Sequence, residues 1–333
     1  MNDSKILRWG IMGCARISRR GLVPGILGSR SGRLQAIASR DLTRAQAWAR
    51  EFTIPKAHGS YEALLADPEI DAVYIPLPNE LHLPWVIAAA AQGKHILCEK
   101  PLALNDLEAK RMVESCAAND VVLMEAFMWR HQPRTLGLRE LARSGKIGEP
   151  RLIRASFSFP ITPGDWRLDL ARGGGALWDV GCYGVNTARL FAGREPIRVK
   201  SVAHFGETGV DLTLCATLDF GAGLVATIDC SFEQPFCCRY ELVGTLGTIE
   251  VPDAYLPPVD SPALARVRML RLDSSPGFGD YRDETLAFEP INQYAAMVDA
   301  FAESVAAGAL VDPAEDGVAQ TRLLGQILAD AAQ

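Results

Sequence analysis

Apolar positions in the first third of the chain fall into short blocks separated by stretches of helical periodicity. The blocks at 7–12, 34–39, 72–75, 96–99 and 121–124 have the length and apolar content of buried strands. Between them, 17–27, 42–52, 61–66, 83–91 and 104–118 read as helices. Asn105 or Asp106 is placed to cap the last of these. Strands alternating with helices predict a parallel, doubly wound sheet.

Beyond residue 125 the pattern changes. A helix is predicted over 134–144, with Gly145 and Gly148 at its exit, and a strand over 151–159. Gly173-Gly174-Gly175 then opens a helix running to about 191. Long strands with period-two alternation follow. In 211–220, Leu212, Leu214, Ala216, Leu218 and Phe220 share one face, and Thr213, Cys215, Thr217 and Asp219 share the other. Across the turn Gly221-Ala222-Gly223, Leu224, Ala226, Ile228, Cys230 and Phe232 repeat the apolar face. This predicts an antiparallel sheet with one apolar face and one small, mixed face. Charge is sparse on the mixed face of these strands, which points to pairing of sheets between copies of the chain. Helices over 293–307 and 313–332 close the chain. The expected fold is thus α/β: an N-terminal Rossmann domain over 1–125, and over 126–333 an α+β domain with a large, mostly antiparallel, open-faced sheet for substrate binding and oligomerisation.

Composition narrows the classes. Among 333 residues, 48% are hydrophobic and 22% charged, as in folded globular proteins. A net charge of −6 argues against nucleic acid or an anionic membrane as the main partner. No apolar run is long enough to span a bilayer, and residues 1–8 have no apolar leader core. The eight cysteines show no C-x-x-C spacing, and Cys98, Cys116, Cys215 and Cys230 lie inside apolar elements. Free thiols in a reducing cytoplasm, without metal, are expected. Cys237-Cys238 has no functional explanation.

The first strand leads into Gly13-Cys14-Ala15-Arg16-Ile17-Ser18, a variant of G-x-G-x-x-G with Ala15 and Ser18 in the second and third glycine slots. A tight turn at Gly13 and a small side chain at Ala15 let the backbone approach a pyrophosphate at the next helix N-terminus. An NAD site usually carries an acidic residue at the tip of the second strand. Here Ser39 and Arg40 occupy the tip and Arg44 lies one turn on, a set suited to a 2′-phosphate, so NADP rather than NAD is expected. Asp41 starts the following helix. Pro76-Leu77-Pro78-Asn79 makes a stiff loop at the ligand edge of the sheet. Leu77 and Asn79 are expected to flank the cofactor's ribose. His82 beyond them is counted with this group, though as structure more than as chemistry.

Lys100 follows the strand ending at Cys98-Glu99, at the carboxyl edge where open α/β sheets bind ligands. Pro101 biases it toward extended backbone before a turn. Asp179 and Tyr183 stand at i and i+4 in the helix after the triple glycine, on one face. Hydride removal from an alcohol needs a base for the hydroxyl proton. A free phenol, with a pKa of about 10, is too weak a base at neutral pH, and a nearby ammonium would lower that value. Lys100 can serve Tyr183 in this way and polarise the substrate oxygen. Alternatively, Lys100 itself carries the proton. Asp179 is expected to hold substrate hydroxyls or the lysine. Trp129-Arg130 and Asp165-Trp166-Arg167 are candidates to complete a sugar pocket, with packing an equal alternative for Trp129.

These motifs resemble the glucose–fructose oxidoreductase / inositol dehydrogenase (Gfo/Idh/MocA) family over essentially the whole length. The resemblance rests on Gly-Ile-Met-Gly-Cys-Ala-Arg-Ile at 10–17, Ala-Ser-Arg-Asp at 38–41, Ile-Pro-Leu-Pro-Asn at 75–79 and Cys-Glu-Lys-Pro at 98–101. It continues with Glu-Ala-Phe-Met-Trp-Arg at 125–130 and Gly-Gly-Gly-Ala-Leu-Trp-Asp-Val-Gly-Cys-Tyr at 173–183. It implies that Lys100 is the catalytic lysine, that Glu99, Trp166 and Arg167 lie near the nicotinamide, and that Ser39, Arg40 and Arg44 select NADP. Asp179 and Tyr183 match the family's D-x-x-x-(H/Y) pair. Tyrosine in the second place resembles the branch holding D-xylose 1-dehydrogenase, dimeric dihydrodiol dehydrogenase and glucose–fructose oxidoreductase itself. The lack of a secretion leader departs from the periplasmic glucose–fructose enzymes. The resemblance further implies a homodimer or homotetramer built on the open sheet. The expectation is a cytoplasmic NADP-dependent oxidoreductase of a cyclic sugar or polyol, with an aldose oxidised at C1 to a lactone as the best guess. A trans-dihydrodiol dehydrogenase, a keto-sugar reductase and a non-catalytic NADP-binding sensor are the alternatives.

Overall fold

Six strands build the first sheet: β1 (Leu7–Met12), β2 (Gly32–Ala38), β3 (Lys56–His58), β4 (Ala72–Ile75), β5 (His95–Cys98) and β6 (Leu123–Glu125). They are all parallel in the order β3-β2-β1-β4-β5-β6, so the strand order reverses between β1 and β4. That reversal opens a crevice at the carboxyl ends of the strands, where a dinucleotide-binding fold takes its ligand. The helices between them are α1 (Val23–Gly28), α2 (Leu42–Glu51), α3 (Tyr61–Leu65), α4 (His82–Ala91) and α5 (Asp106–Ala118), with a π-helical turn Ser18–Leu22 ahead of α1. Caps fix their starts: Asp41 accepts from the amides of Thr43 and Arg44, Ser60 from Ala63, and Asn105 from Glu108. The structure, a computed structural model, describes residues 6–271, 280–308 and 313–333.

The second sheet has eight strands: β7 (Pro150–Ser158), β8 (Arg198–Phe205), β9 (Asp211–Asp219), β10 (Val225–Ser231), β11 (Cys237–Gly244), β12 (Gly247–Val251), β13 (Ala263–Leu270) and β14 (Tyr281–Phe288). Their order is β14-β13-β12-β11-β7-β10-β9-β8; only β7 and β10 pair in parallel. The predicted apolar face is buried at Leu214, Ala216, Leu218, Ala226, Ile228 and Cys230. Helices α6 (Pro133–Arg143) and α7 (Cys182–Ala192) belong to this part of the chain, and α7 packs on β7 and β10. The mixed face is not uniformly neutral. It holds small residues along β9 and β10, but the pairs Arg154–Glu241, Arg266–Glu250 and Arg268–Asp283 lace β7 and β11–β14.

The chain forms two units, and their boundary differs from the predicted cut after residue 125. The first unit runs to His131 and takes back Asn292–Arg322; the second holds Gln132–Ile291 and Leu323–Gln333. The returning segment contains α8 (Gln293–Ala307) and the start of α9 (Glu315–Ala331). Glycine makes the return possible. A Cβ at Gly21 or Gly25 would stand 2.5–2.6 Å from Tyr294 of α8, and Phe301 of α8 lies 5.1 Å from Trp9 of β1. α8 is therefore part of the first unit's core, although it is distant in sequence.

Candidate active site

In the first unit the glycine loop leaves β1 at Gly13. Its φ of +107° and the closeness of Leu77 and Tyr61, 3.2 and 3.3 Å from where a Cβ would lie, require glycine. Arg44 donates to the loop carbonyl of Cys14 at 2.7 Å, so α2 braces the loop directly. Ala15 is half-buried, and Arg16 and Ile17 are exposed at the start of the π-helical turn. The Ser18 hydroxyl, in the third glycine slot, is fully buried and makes no hydrogen bond. At the tip of β2, Ser39 is buried with its Oγ accepting from the Asp41 amide, Arg40 is exposed, and the Asp41 carboxylate is taken up by the α2 amides. The donor set and the left-handed glycine fit a dinucleotide carrying a 2′-phosphate.

The loops after β4 and β5 are joined by His82. Its Nε2 stands 2.8 Å from the Leu77 carbonyl, and its Nδ1 stands 3.0 and 3.1 Å from the carbonyls of Pro101 and Leu102. The imidazole is fully enclosed, and burial pushes its pKa down. His82 therefore ties the Pro76–Asn79 loop to the turn after Lys100. Asn79 is buried in the 3-10 turn Asn79–Leu81 and does not cap α4. Glu99 is buried; it accepts a short hydrogen bond from the Tyr74 phenol, and its Oε2 accepts from the Lys100 amide at 3.2 Å. Lys100 is half-buried at the carboxyl end of β5, and its peptide with Pro101 is cis. Trp129 is fully buried. An enclosed indole offers no face to a sugar ring, so the platform role expected from the sequence is withdrawn and packing stands.

In the second unit the Asp165-Trp166-Arg167 turn is stitched to the triple glycine. Gly174 N donates to Asp169 O at 3.0 Å and Gly175 N to Arg167 O at 2.9 Å. Arg167 Nε reaches Asp179 Oδ2 at 2.8 Å and Nη1 reaches Asp165 at 3.2 Å. Burial lowers the Arg167 pKa, and the two carboxylates outweigh it. The Arg167–Asp179 pair was not foreseen: the sequence suggested the lysine or the substrate for Asp179. The Arg167 guanidinium also lies 4.9 Å over the Trp166 ring. Asp179 sits in the π-helical turn Leu177–Gly181, which passes directly into α7. Gly181 and Gly184 bring this helix onto β10: Cβ atoms there would lie 2.8 Å from Cys230 Sγ and 2.7 Å from Ile228. Tyr183 is buried against Tyr255 and Phe157, with ring centres at 4.9 and 5.5 Å. Tyr255 is fixed in turn by Thr187, whose Oγ1 lies 2.8 Å from the Tyr255 hydroxyl and donates to the Tyr183 carbonyl.

Sequence reasoning missed Tyr74 and Tyr255. Tyr74 had a readable signal: a tyrosine in an otherwise apolar strand must find a partner for its hydroxyl. All eight cysteines are free, and no metal-binding cluster occurs among the described residues. No helix there is long and apolar enough to cross a membrane.

Residues 7–127 match the model of the oxidoreductase family with an NAD-binding Rossmann fold, and residues 135–250 match the GFO/IDH/MocA C-terminal domain. A D-xylose 1-dehydrogenase (NADP(+)) of Haloferax volcanii is 40% identical over 304 residues, 91% of this chain and 90% of that protein. The trans-1,2-dihydrobenzene-1,2-diol dehydrogenase of Mus musculus is 35% identical over 75% of this chain and 76% of its own. The 3-ketoreductase KijD10 of Actinomadura kijaniata, crystallised with NADP and TDP-benzene, superposes with a TM-score of 0.88 at 31% identity, covering 97% of each chain. With its parallel six-stranded sheet, its second and mostly antiparallel sheet and these relatives, the chain belongs to the Gfo/Idh/MocA family of NAD(P)-dependent oxidoreductases.

Proposed function

We propose that this chain is a cytoplasmic NADP-dependent dehydrogenase of a cyclic sugar or polyol, with an aldose oxidised at its anomeric carbon as the preferred substrate. The observation that carries the chemistry is the Asp179–Tyr183 pair, one helical turn apart, with Asp179 held by Arg167 and Tyr183 wedged against Phe157 and Tyr255. Tyr183 takes the substrate's hydroxyl proton. Lys100 supplies the positive charge that favours the phenolate and polarises the substrate oxygen. Asp179 orients substrate hydroxyls, its charge balanced by Arg167. Bound NADP supplies the hydride acceptor. Gly13, Ala15, Arg16 and Ile17 would receive its pyrophosphate and Ser39, Arg40 and Arg44 its 2′-phosphate; Leu77 and Asn79 would flank a ribose, and the nicotinamide would be held by Glu99, Trp166 and Arg167. Similarity to a protein named for D-xylose and NADP supports the choice of aldose and of cofactor.

The 3-ketoreductase superposition favours a second reading, in which the same residues run the reverse step and Tyr183 donates a proton to a keto-sugar oxygen. A screen of purified protein decides between them. Pentoses, hexoses, inositols and trans-dihydrodiols are offered with NADP or NAD, and keto-sugars with NADPH. The proposal expects NADP reduction with an aldose and formation of its lactone. Activity confined to keto-sugars or dihydrodiols would replace the substrate. NADP binding without turnover of any compound would replace the enzyme with a sensor.

A further inference from the structure

We propose that Asp211 is a positioning residue for this site: from the start of β9 its carboxylate fixes the glycine loop and the first turn of the helix that carries Asp179 and Tyr183. This rests on the roles given above to Asp179 and Tyr183. By strict alternation Asp211 falls in phase with Thr213, Cys215 and Thr217, on the mixed face of the sheet. It is instead only 1% exposed. The register explains the change. β8 pairs His204 with Thr213 but Phe205 with Asp211, so β9 carries one extra residue there. A bulge of this kind turns the side chain out of its expected phase.

The inward carboxylate meets the loop at two points. Its Oδ2 accepts from the Leu177 amide at 2.6 Å. That amide opens the π-helical turn and has no acceptor within it. Its Oδ1 fills the place where a side chain at 175 would be, since a Cβ on Gly175 would overlap it. Gly175, at φ +120°, then passes the constraint in two directions. Its carbonyl accepts from the Asp179 amide at 3.1 Å, and its amide donates to Arg167 O at 2.9 Å. A Cβ on Gly174 would likewise overlap Arg167 O. Arg167 and Asp179, so placed, close on each other through their side chains. Asp211 thus stands behind a short ring of contacts whose far side is the Arg167–Asp179 pair.

Burial pushes the Asp211 carboxyl up to about 7. Of the neighbouring titratable groups, its charge acts on the buried Cys230 thiol of β10, while His204 of β8 is exposed and bonded to Glu233. An apolar residue at 211 would avoid that burial, but it would leave the Leu177 amide without an acceptor.

The test uses the full chain with Asp211→Ala, Asp211→Ser and Asp211→Asn. Asparagine keeps an acceptor at the right reach; alanine and serine do not. Amide hydrogen exchange over 173–183 is expected to quicken about tenfold in the Ala and Ser variants and to stay within about twofold in Asn, with the first unit unchanged. In turnover, Ala and Ser should lose about tenfold in kcat/KM for the sugar, while the Kd of NADPH, read from its fluorescence, moves less than about twofold and Asn recovers most of the loss. Folded Ala and Ser variants with wild-type exchange and kcat/KM, or an Asn variant as damaged as Ala, would overturn the proposal. If Ala does not fold, Ser against Asn decides. If the wild type turns over nothing, the functional reading falls and the exchange result alone judges Asp211.

Discussion

An aspartate in an unfolded chain titrates near about 3.9, whereas burial lifts the Asp211 carboxyl to about 7. The sign follows from linkage. The folded state holds the proton over that interval and the unfolded state does not, so stability falls as pH rises from about 4 to about 7. Asp211→Asn removes this slope. Relative to wild type, the variant should gain about 3 kcal/mol of unfolding free energy between pH 5 and pH 8, at 1.36 kcal/mol per unit. Denaturant titrations at both pH values check it; parallel curves would show that the carboxyl is not strained. His82 acts in the opposite sense. Burial lowers its pKa, so the fold must keep it neutral, and its contribution is present above about 6.5 and lost as pH falls below. His82→Ala should cost about 2 kcal/mol through loss of the carbonyl bond made by the single N–H of the neutral imidazole, and flatten the acid limb. At this scale the sequence showed identities and spacing but not partners. Asp179 and Tyr183 were readable from their i, i+4 spacing. Arg167's hold on Asp179 was not, because it depends on how the Gly173–Gly175 turn folds back. Nor was Asp211, because a bulge breaks the alternation that sequence reading relies on.

Among the elements, α6 is fastened in an unusual way. Arg134 is fully buried and donates to the carbonyls of Pro252, Asp253, Ala254 and Leu264 at 2.9–3.1 Å. One guanidinium thus ties the helix to the end of β12 and the start of β13. Arg134→Met should destabilise by about 3–5 kcal/mol, since four carbonyls lose their donor, and Arg134→Lys should recover less than half, lacking the planar fork. Thermal and denaturant unfolding measure this; a loss below about 1 kcal/mol would mean that water replaces the donors. Elements with strong periodicity were legible, as in β9, β10, α2 and α5. Strand β3 was not, because three half-buried residues at a sheet edge carry almost no pattern. The loops Gly13–Ile17 and Pro76–Asn79 were readable because glycine and proline restrict backbone directly.

For the whole molecule, sequence order misleads about the units. Nothing in 292–322 says that it rejoins the first unit; the signal is distributed, in Gly21 and Gly25 making room for Tyr294. The oligomer expected from the sequence would use the open face of the second sheet, where β9 and β10 present small residues and Cys215 is exposed. Cys215→Arg should shift the protein toward monomer in analytical ultracentrifugation without altering unfolding of the isolated chain. A variant that assembles as the wild type does would move the interface elsewhere. The central claim, that Tyr183 handles the hydroxyl proton, is tested most directly by the pH profile of kcat for Tyr183→Phe with the aldose and NADP that the substrate screen identifies. The account predicts a fall of at least about 10²-fold in kcat with the acid limb of the wild-type profile, where the phenolate gains its proton and stops acting as a base, abolished. A phenylalanine variant with wild-type turnover and an unchanged profile would contradict it.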